Sequence, residues 1–209
     1  MMFLRRSLAA AALLAMAQPG FAQTPIPDAT APAAAEAPAA GTYAFDPEHS
    51  HILFSYDHLG FSTSTGMVRG LTGTLVLDPA DPAKSSVQAS FPLSSLKTVS
   101  QALDQDMMGD DFFKGAAPDT AITFVSTAVQ PRGPDTATVT GDLTLNGVTR
   151  PVTLDVTLRK AGESPMTQKP AAGFAATTTL KRSDFGLGAF APAVGDDVAI
   201  TITVEAMKG

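Results

Sequence analysis

The stretch that decides the fold is YAFDPEHSHILFSYDHLGFS, residues 43–62, which holds all three histidines of the chain and its first unbroken β pattern. Side chains along a strand point alternately to opposite sides. Ile52, Phe54, Tyr56 and His58 therefore share one face, and His49, His51, Leu53, Ser55 and Asp57 share the other. The first face is apolar with a polar tip. Such a face meets either an ordinary core or a ligand cavity, and the neighbouring segments have to decide which.

Toward the C-terminus, short strand-type runs alternate with turn residues, the rhythm of an all-β sandwich or barrel. Residues 66–77 carry Met67, Val68, Leu71, Leu75 and Leu77, with Gly66, Gly70 and Gly73 where a barrel wall can bend. DPADP at 78–82 is a turn, and Val87, Ala89, Phe91 and Leu93 form the next apolar row, with Pro92 placing that end at an edge or bulge. Further strands are expected over 121–129, 136–145, 148–158, 173–182 and 198–205, with 161–172 and 184–197 as loops. Asn146-Gly147 specifies a two-residue type I′ hairpin turn, and Leu154, Val156 and Leu158 line one side of the returning strand. About eight strands result, the number at which a closed antiparallel barrel holds either its own side chains or one small ligand.

Residues 94–113 interrupt this rhythm. Val99, Leu103 and Met107 recur at helical spacing, Ser100 can cap the start, and Gly109 stops the run, so a short inserted helix is expected. Asp104, Asp106, Asp110 and Asp111 lack the spacing of a calcium loop and read as a solvated acidic face. Met107, Met108, Phe112 and Phe113 gather on the helix and its exit, either as a plug for one barrel end or as an adaptable wall against a flexible partner.

Upstream, residues 1–22 have the parts of a secretory signal: Arg5 and Arg6, an apolar run from Leu8 to Ala17, then Pro19 and Gly20, with cleavage expected after Ala22. Residues 23–41 are rich in proline and alanine and read as a disordered linker, leaving 42–209 as one folded domain. A periplasmic or secreted location follows from that leader.

Composition removes several functions. A net charge of −6 without a basic cluster argues against nucleic acid, which is bound by neutralising phosphates. The absence of cysteine removes disulfides, zinc–thiolate sites and thiol catalysis. His49 and His51 share a face and could share a metal, yet no HExxH or GxSxG motif accompanies them, so neither a metal nor a catalytic residue is assigned and no cofactor is expected.

The blocks YAFDPEHSHILFSYDHLG, DFF (111–113), ITFVST (122–127), GDLTLNGVTRPVTL (141–154), KRSDFGLG (181–188) and VGDDVAITI (194–202) occur in order. They resemble the successive signature blocks of the YceI-like family over essentially all of residues 42–209. The resemblance implies an exported, eight-stranded, lipocalin-like antiparallel barrel with a short inserted helix. It also implies binding of a long isoprenoid lipid, a polyisoprenoid or an isoprenoid quinone, in an apolar channel without catalysis. The alternative is a stress-related or structural accessory whose barrel is filled.

The family's D-x-x-H-S falls on Asp46, His49 and Ser50, its later strand histidine on His58, its R-S-D-F-G on residues 182–186, and its paired aromatics on Phe112 and Phe113. Where relatives read R-D-x-H-L, this chain has Leu103, Asp104, Gln105, Asp106 and Met107, so a basic residue and a histidine are missing; if those groups contact a head group in relatives, a neutral quinone-like head, or a different lipid, is favoured here over a diphosphate. The expected channel residues are Ile52, Phe54, Tyr56, His58, Leu103, Met107, Met108, Phe112, Phe113, Phe124, Arg182 and Phe185, with His58, Tyr56 and Arg182 as polar points at the mouth. The expected partners are the lipid and, transiently, a membrane; monomer and homodimer both stay open.

Overall fold

The computed structural model describes residues 37–209. The expected signal sequence, and the expected linker up to residue 36, lie outside that range. Eleven strand segments follow: β1 (Gly41–Phe45), β2 (His51–His58), β3 (Ser62–Arg69), β4 (Thr72–Leu77), β5 (Ser86–Pro92), β6 (Leu96–Thr98), β7 (Ala121–Pro131), β8 (Thr136–Leu145), β9 (Val148–Glu163), β10 (Pro170–Lys181) and β11 (Asp197–Lys208). One helix, α1 (Gln101–Met107), is inserted between β6 and β7.

These segments make one closed antiparallel barrel of eight strands, because three strands are each broken in two. β1 and β2 lie end to end along β11: Tyr43, Ala44 and Phe45 face Lys208, Met207 and Ala206, and His51 to Ser55 face Thr203 to Ala199. β4 continues β3 after Gly70, whose φ of 68° lies in the left-handed region that glycine adopts without strain. β6 continues β5 after Pro92 and a single 3₁₀ turn, since proline has no N–H to donate to a ladder.

The break between β1 and β2 explains the D-x-x-H-S block. The Asp46 N–H donates to the Glu205 carbonyl at 2.8 Å. Ser50, buried, donates its hydroxyl to the same carbonyl at 3.2 Å and accepts the Glu205 N–H at 3.1 Å. Between them the chain bulges outward, held by the Asp46 carboxylate, which accepts the Glu48 N–H at 2.9 Å and meets His49 Nδ1 at 2.7 Å. The Asp46 bond raises the exposed His49 above the ordinary imidazole range, and the same bond lowers Asp46.

The 146–147 hairpin is present, both residues at positive φ (52° and 72°) with Leu145 opposite Val148. The expected loop over 161–172 is shorter: β9 runs to Glu163 and β10 starts at Pro170. Ala161, Ala171, Ala172 and Gly162 have little β preference of their own, but Ala161 and Ala172 are buried in a core cluster with Tyr43, Phe45, Leu71, Val204 and Ala206, and packing overrides propensity. The end of the expected linker is also tied down, the Tyr43 hydroxyl donating to the Ala39 carbonyl at 2.8 Å. A second core cluster, Leu93, Phe113, Ile122, Val152, Phe185 and Leu187, lies toward the α1 end.

Candidate ligand cavity

A cavity of about 660 Å³ touches both core clusters and is lined from every strand of the barrel. That size lies within the range of roughly 300–1,000 Å³ typical of small-molecule sites. The inward rows are apolar: Ile52 and Phe54 on β2, Leu154, Val156 and Leu158 on β9, Ile200 and Ile202 on β11. At one end Ala37, Pro38, Asp78 and Asp135 contribute, and at the other Leu103, Met107, Phe112, Arg182 and Val194. The open interior is the feature that a barrel filled by its own side chains would lack.

The lumen stays open partly through glycine. A Cβ at Gly66 would lie 2.1 Å from Phe54 Cζ, one at Gly73 2.6 Å from Phe45 Cε2, and one at Gly141 2.4 Å from Phe124 Cζ. Each glycine sits on a strand beside its phenylalanine, so each ring lies against the wall instead of projecting into the lumen. Phe45, Phe54 and Phe124 all line the cavity.

Of the expected channel residues, Ile52, Phe54, Tyr56, Leu103, Met107, Phe112, Phe113, Phe124 and Arg182 line the cavity. His58, Met108 and Phe185 do not. His58 has the right parity, but β2 ends there and its side chain is exposed at the rim, where its backbone bridges to Val194. Met108 caps α1 and packs from outside the cavity against the second core cluster, and Phe185 is fully buried within that cluster. Sequence reasoning left out Phe45, Phe91, Phe174, Ile200 and Ile202, which also line the cavity. Their alternation with polar neighbours was the available signal, since it marks the same inner face on every strand.

Arg182 needs a further correction. It is buried, and its guanidinium donates to four backbone carbonyls: Gly195 at 2.8 Å, Ala189 at 2.8 Å, Val194 at 2.8 Å, and Leu187. It therefore fastens the 186–196 loop over the barrel end, and only its flank belongs to the cavity. Asp196 closes the same loop, accepting the Ser183 hydroxyl at 2.7 Å and N–H at 2.9 Å, bonds that hold its carboxyl below the usual range. Among the described residues, the charged side chains on the cavity wall are Asp78, Asp135 and this committed Arg182.

α1 covers the same end. Ser100 caps it, accepting the Leu103 N–H. Asp104, expected to be solvated, is instead half-buried and accepts the Thr98 N–H at 2.7 Å and hydroxyl at 2.8 Å, with Lys97 at 3.8 Å. Burial raises its carboxyl, but the Thr98 bonds and the Lys97 ammonium outweigh burial and leave it lowered. Asp106, Asp110 and Asp111 are exposed, and no group of three or more metal-ligating side chains occurs among the described residues.

A closed eight-stranded barrel around an apolar cavity, capped by one short helix, defines a lipocalin-like fold. Residues 43–206 match the YceI-like domain, and the chain belongs to the YceI-like family. It is 35% identical to Protein YceI of Escherichia coli O157:H7 over 171 residues, covering 81% of this chain and 88% of that protein. It is 36% identical to a UPF0312 protein of Pseudomonas syringae pv. tomato over the same shares of the two chains. Among solved structures, Burkholderia cenocepacia BcnA superposes with a TM-score of 0.68 at 25% identity, over 77% of this chain and 98% of that one. A polyisoprenoid binding domain from Saccharophagus degradans, implicated in plant cell wall breakdown, shares the fold at 15% identity, with a TM-score of 0.61 over 80% of this chain and 98% of that one.

Proposed function

We propose that this protein is a non-catalytic carrier that holds an isoprenoid lipid with an uncharged head, an isoprenoid quinone or alcohol, after export to the periplasm. The polyisoprenoid-binding neighbour supports the lipid class, and the leader-like residues 1–22 support export. The observation that carries the head-group assignment is the commitment of Arg182 to four carbonyls. With the other charged wall residues both acidic, a diphosphate would enter without a counter-charge, and an unpaired charge in an apolar site is heavily penalised.

The energetics suit a carrier. Each methylene removed from water contributes about 0.8 kcal/mol, but a lipid leaving a bilayer already has its tail in hydrocarbon. Transfer is then close to neutral for the tail, and selectivity falls to the length of the cavity and the charge of its wall. Competition between geranylgeraniol and geranylgeranyl diphosphate for the purified protein tests this. The alcohol should bind at least about tenfold more tightly. Equal or tighter binding of the diphosphate would overturn the assignment.

A further inference from the structure

Exposed apolar side chains gather at the α1 end of the barrel. Phe61 is 90% exposed and Leu59 48% at the β2–β3 turn, Val99 is 83% exposed between β6 and α1, and Phe190 is 58% exposed in the 186–196 loop. The turn and the loop are joined, the Leu59 N–H donating to the Ala193 carbonyl at 3.1 Å and the Val194 N–H to the Phe190 carbonyl at 2.9 Å. The Phe190 ring lies 6.1 Å from Phe112, which lines the cavity. The exposed tips thus border the end of the cavity itself.

Leu59 and Phe190 are also held at φ of 59° and 62°, in the left-handed region that suits glycine or asparagine and strains larger side chains. Folding gains nothing from a strained residue whose apolar surface stays in water, so a use outside the fold is indicated. Single exposed apolar residues are ordinary, but four on three segments at one end of the barrel are not. The charge there is acidic on balance: Asp57, Asp106, Asp110 and Asp111 are exposed, against Lys114 and Lys97, the latter paired with Asp104. An anionic surface would be repelled, whereas a zwitterionic one would accept apolar tips at its headgroup boundary.

We propose that this end docks on a zwitterionic lipid surface, with Phe61 and Phe190 inserted at the headgroup boundary, so that ligand passes between bilayer and cavity at the α1 end. The docking rests on the carrier reading given above, and its test separates the two. The purified protein is floated with phosphatidylcholine vesicles, beside the double variant Phe61→Ser/Phe190→Ser, neither residue of which lines the cavity. Wild type should float, and the double variant should float at least about tenfold less while taking up geranylgeraniol from solution as wild type does. Phosphatidylglycerol vesicles should bind wild type more weakly than phosphatidylcholine vesicles. The docking is overturned if wild type does not float, if the double variant floats equally, or if phosphatidylglycerol binds better. Loss of flotation in the double variant, with no geranylgeraniol uptake by either protein, would uphold the docking and remove the carrier reading.

Discussion

At Ser50 a hydroxyl stands in for a peptide group, completing the ladder to Glu205 where the strand breaks. Ser50→Ala leaves a buried N–H without that acceptor and should cost about 1–3 kcal/mol, read as a lower urea midpoint. Gly66 acts on function instead. Gly66→Ala places a Cβ 2.1 Å from the Phe54 ring and 2.6 Å from the Lys97 carbonyl oxygen, so the ring moves toward the lumen and β6 shifts locally; geranylgeraniol affinity should fall by roughly tenfold while the far-UV circular dichroism of the other strands persists. At this scale the sequence identified residues better than roles. Asp46, His49, Ser50 and Arg182 stand out as motif positions; the Asp46 and His49 side chains pair with each other, but Ser50 and Arg182 bond backbone atoms of Glu205 and of the 186–196 loop. No pattern of side chains displays a backbone partner. His58 was misplaced for a related reason: parity predicts its face, not where the wall ends.

Among the elements, α1 depends on a short clamp from Asp104 to Thr98 and Lys97. Its carboxyl is lowered by folding, so the clamp contributes fully above the unfolded carboxylate range and is lost as pH falls through the lower folded value. Asp104→Ala should therefore cost about 1–2 kcal/mol near neutral pH and speed hydrogen exchange at the Thr98 amide. The difference from wild type should close as pH drops below about 4, because protonation then removes the same clamp from wild type. Strand identities were legible because the inner rows alternate cleanly, as in residues 52, 54 and 56 and again in 154, 156 and 158. The ends of β9 and β10 were not, since alanine and glycine extend there only through burial against Tyr43 and Ala206.

For the whole molecule, period-two apolar rows on about eight strands are compatible with a closed barrel, and the structure closes through the pairing of β1 with β11, which leaves no sheet edge there unpaired. An open lumen was less legible, because the same apolar rows would also fill a solid barrel. The deciding features are cross-strand: glycine beneath three phenylalanines, and core clusters at both ends with a cavity of about 660 Å³ in contact with each. The central claim is that this cavity carries an isoprenoid lipid with an uncharged head. Its most direct test is organic-solvent extraction of the protein purified from cells without added detergent, followed by mass spectrometry. A long-chain isoprenoid with a neutral head group, enriched over the bulk phospholipid of the preparation, is the expected result; an extract without such a lipid, or one dominated by an isoprenoid diphosphate, would contradict it.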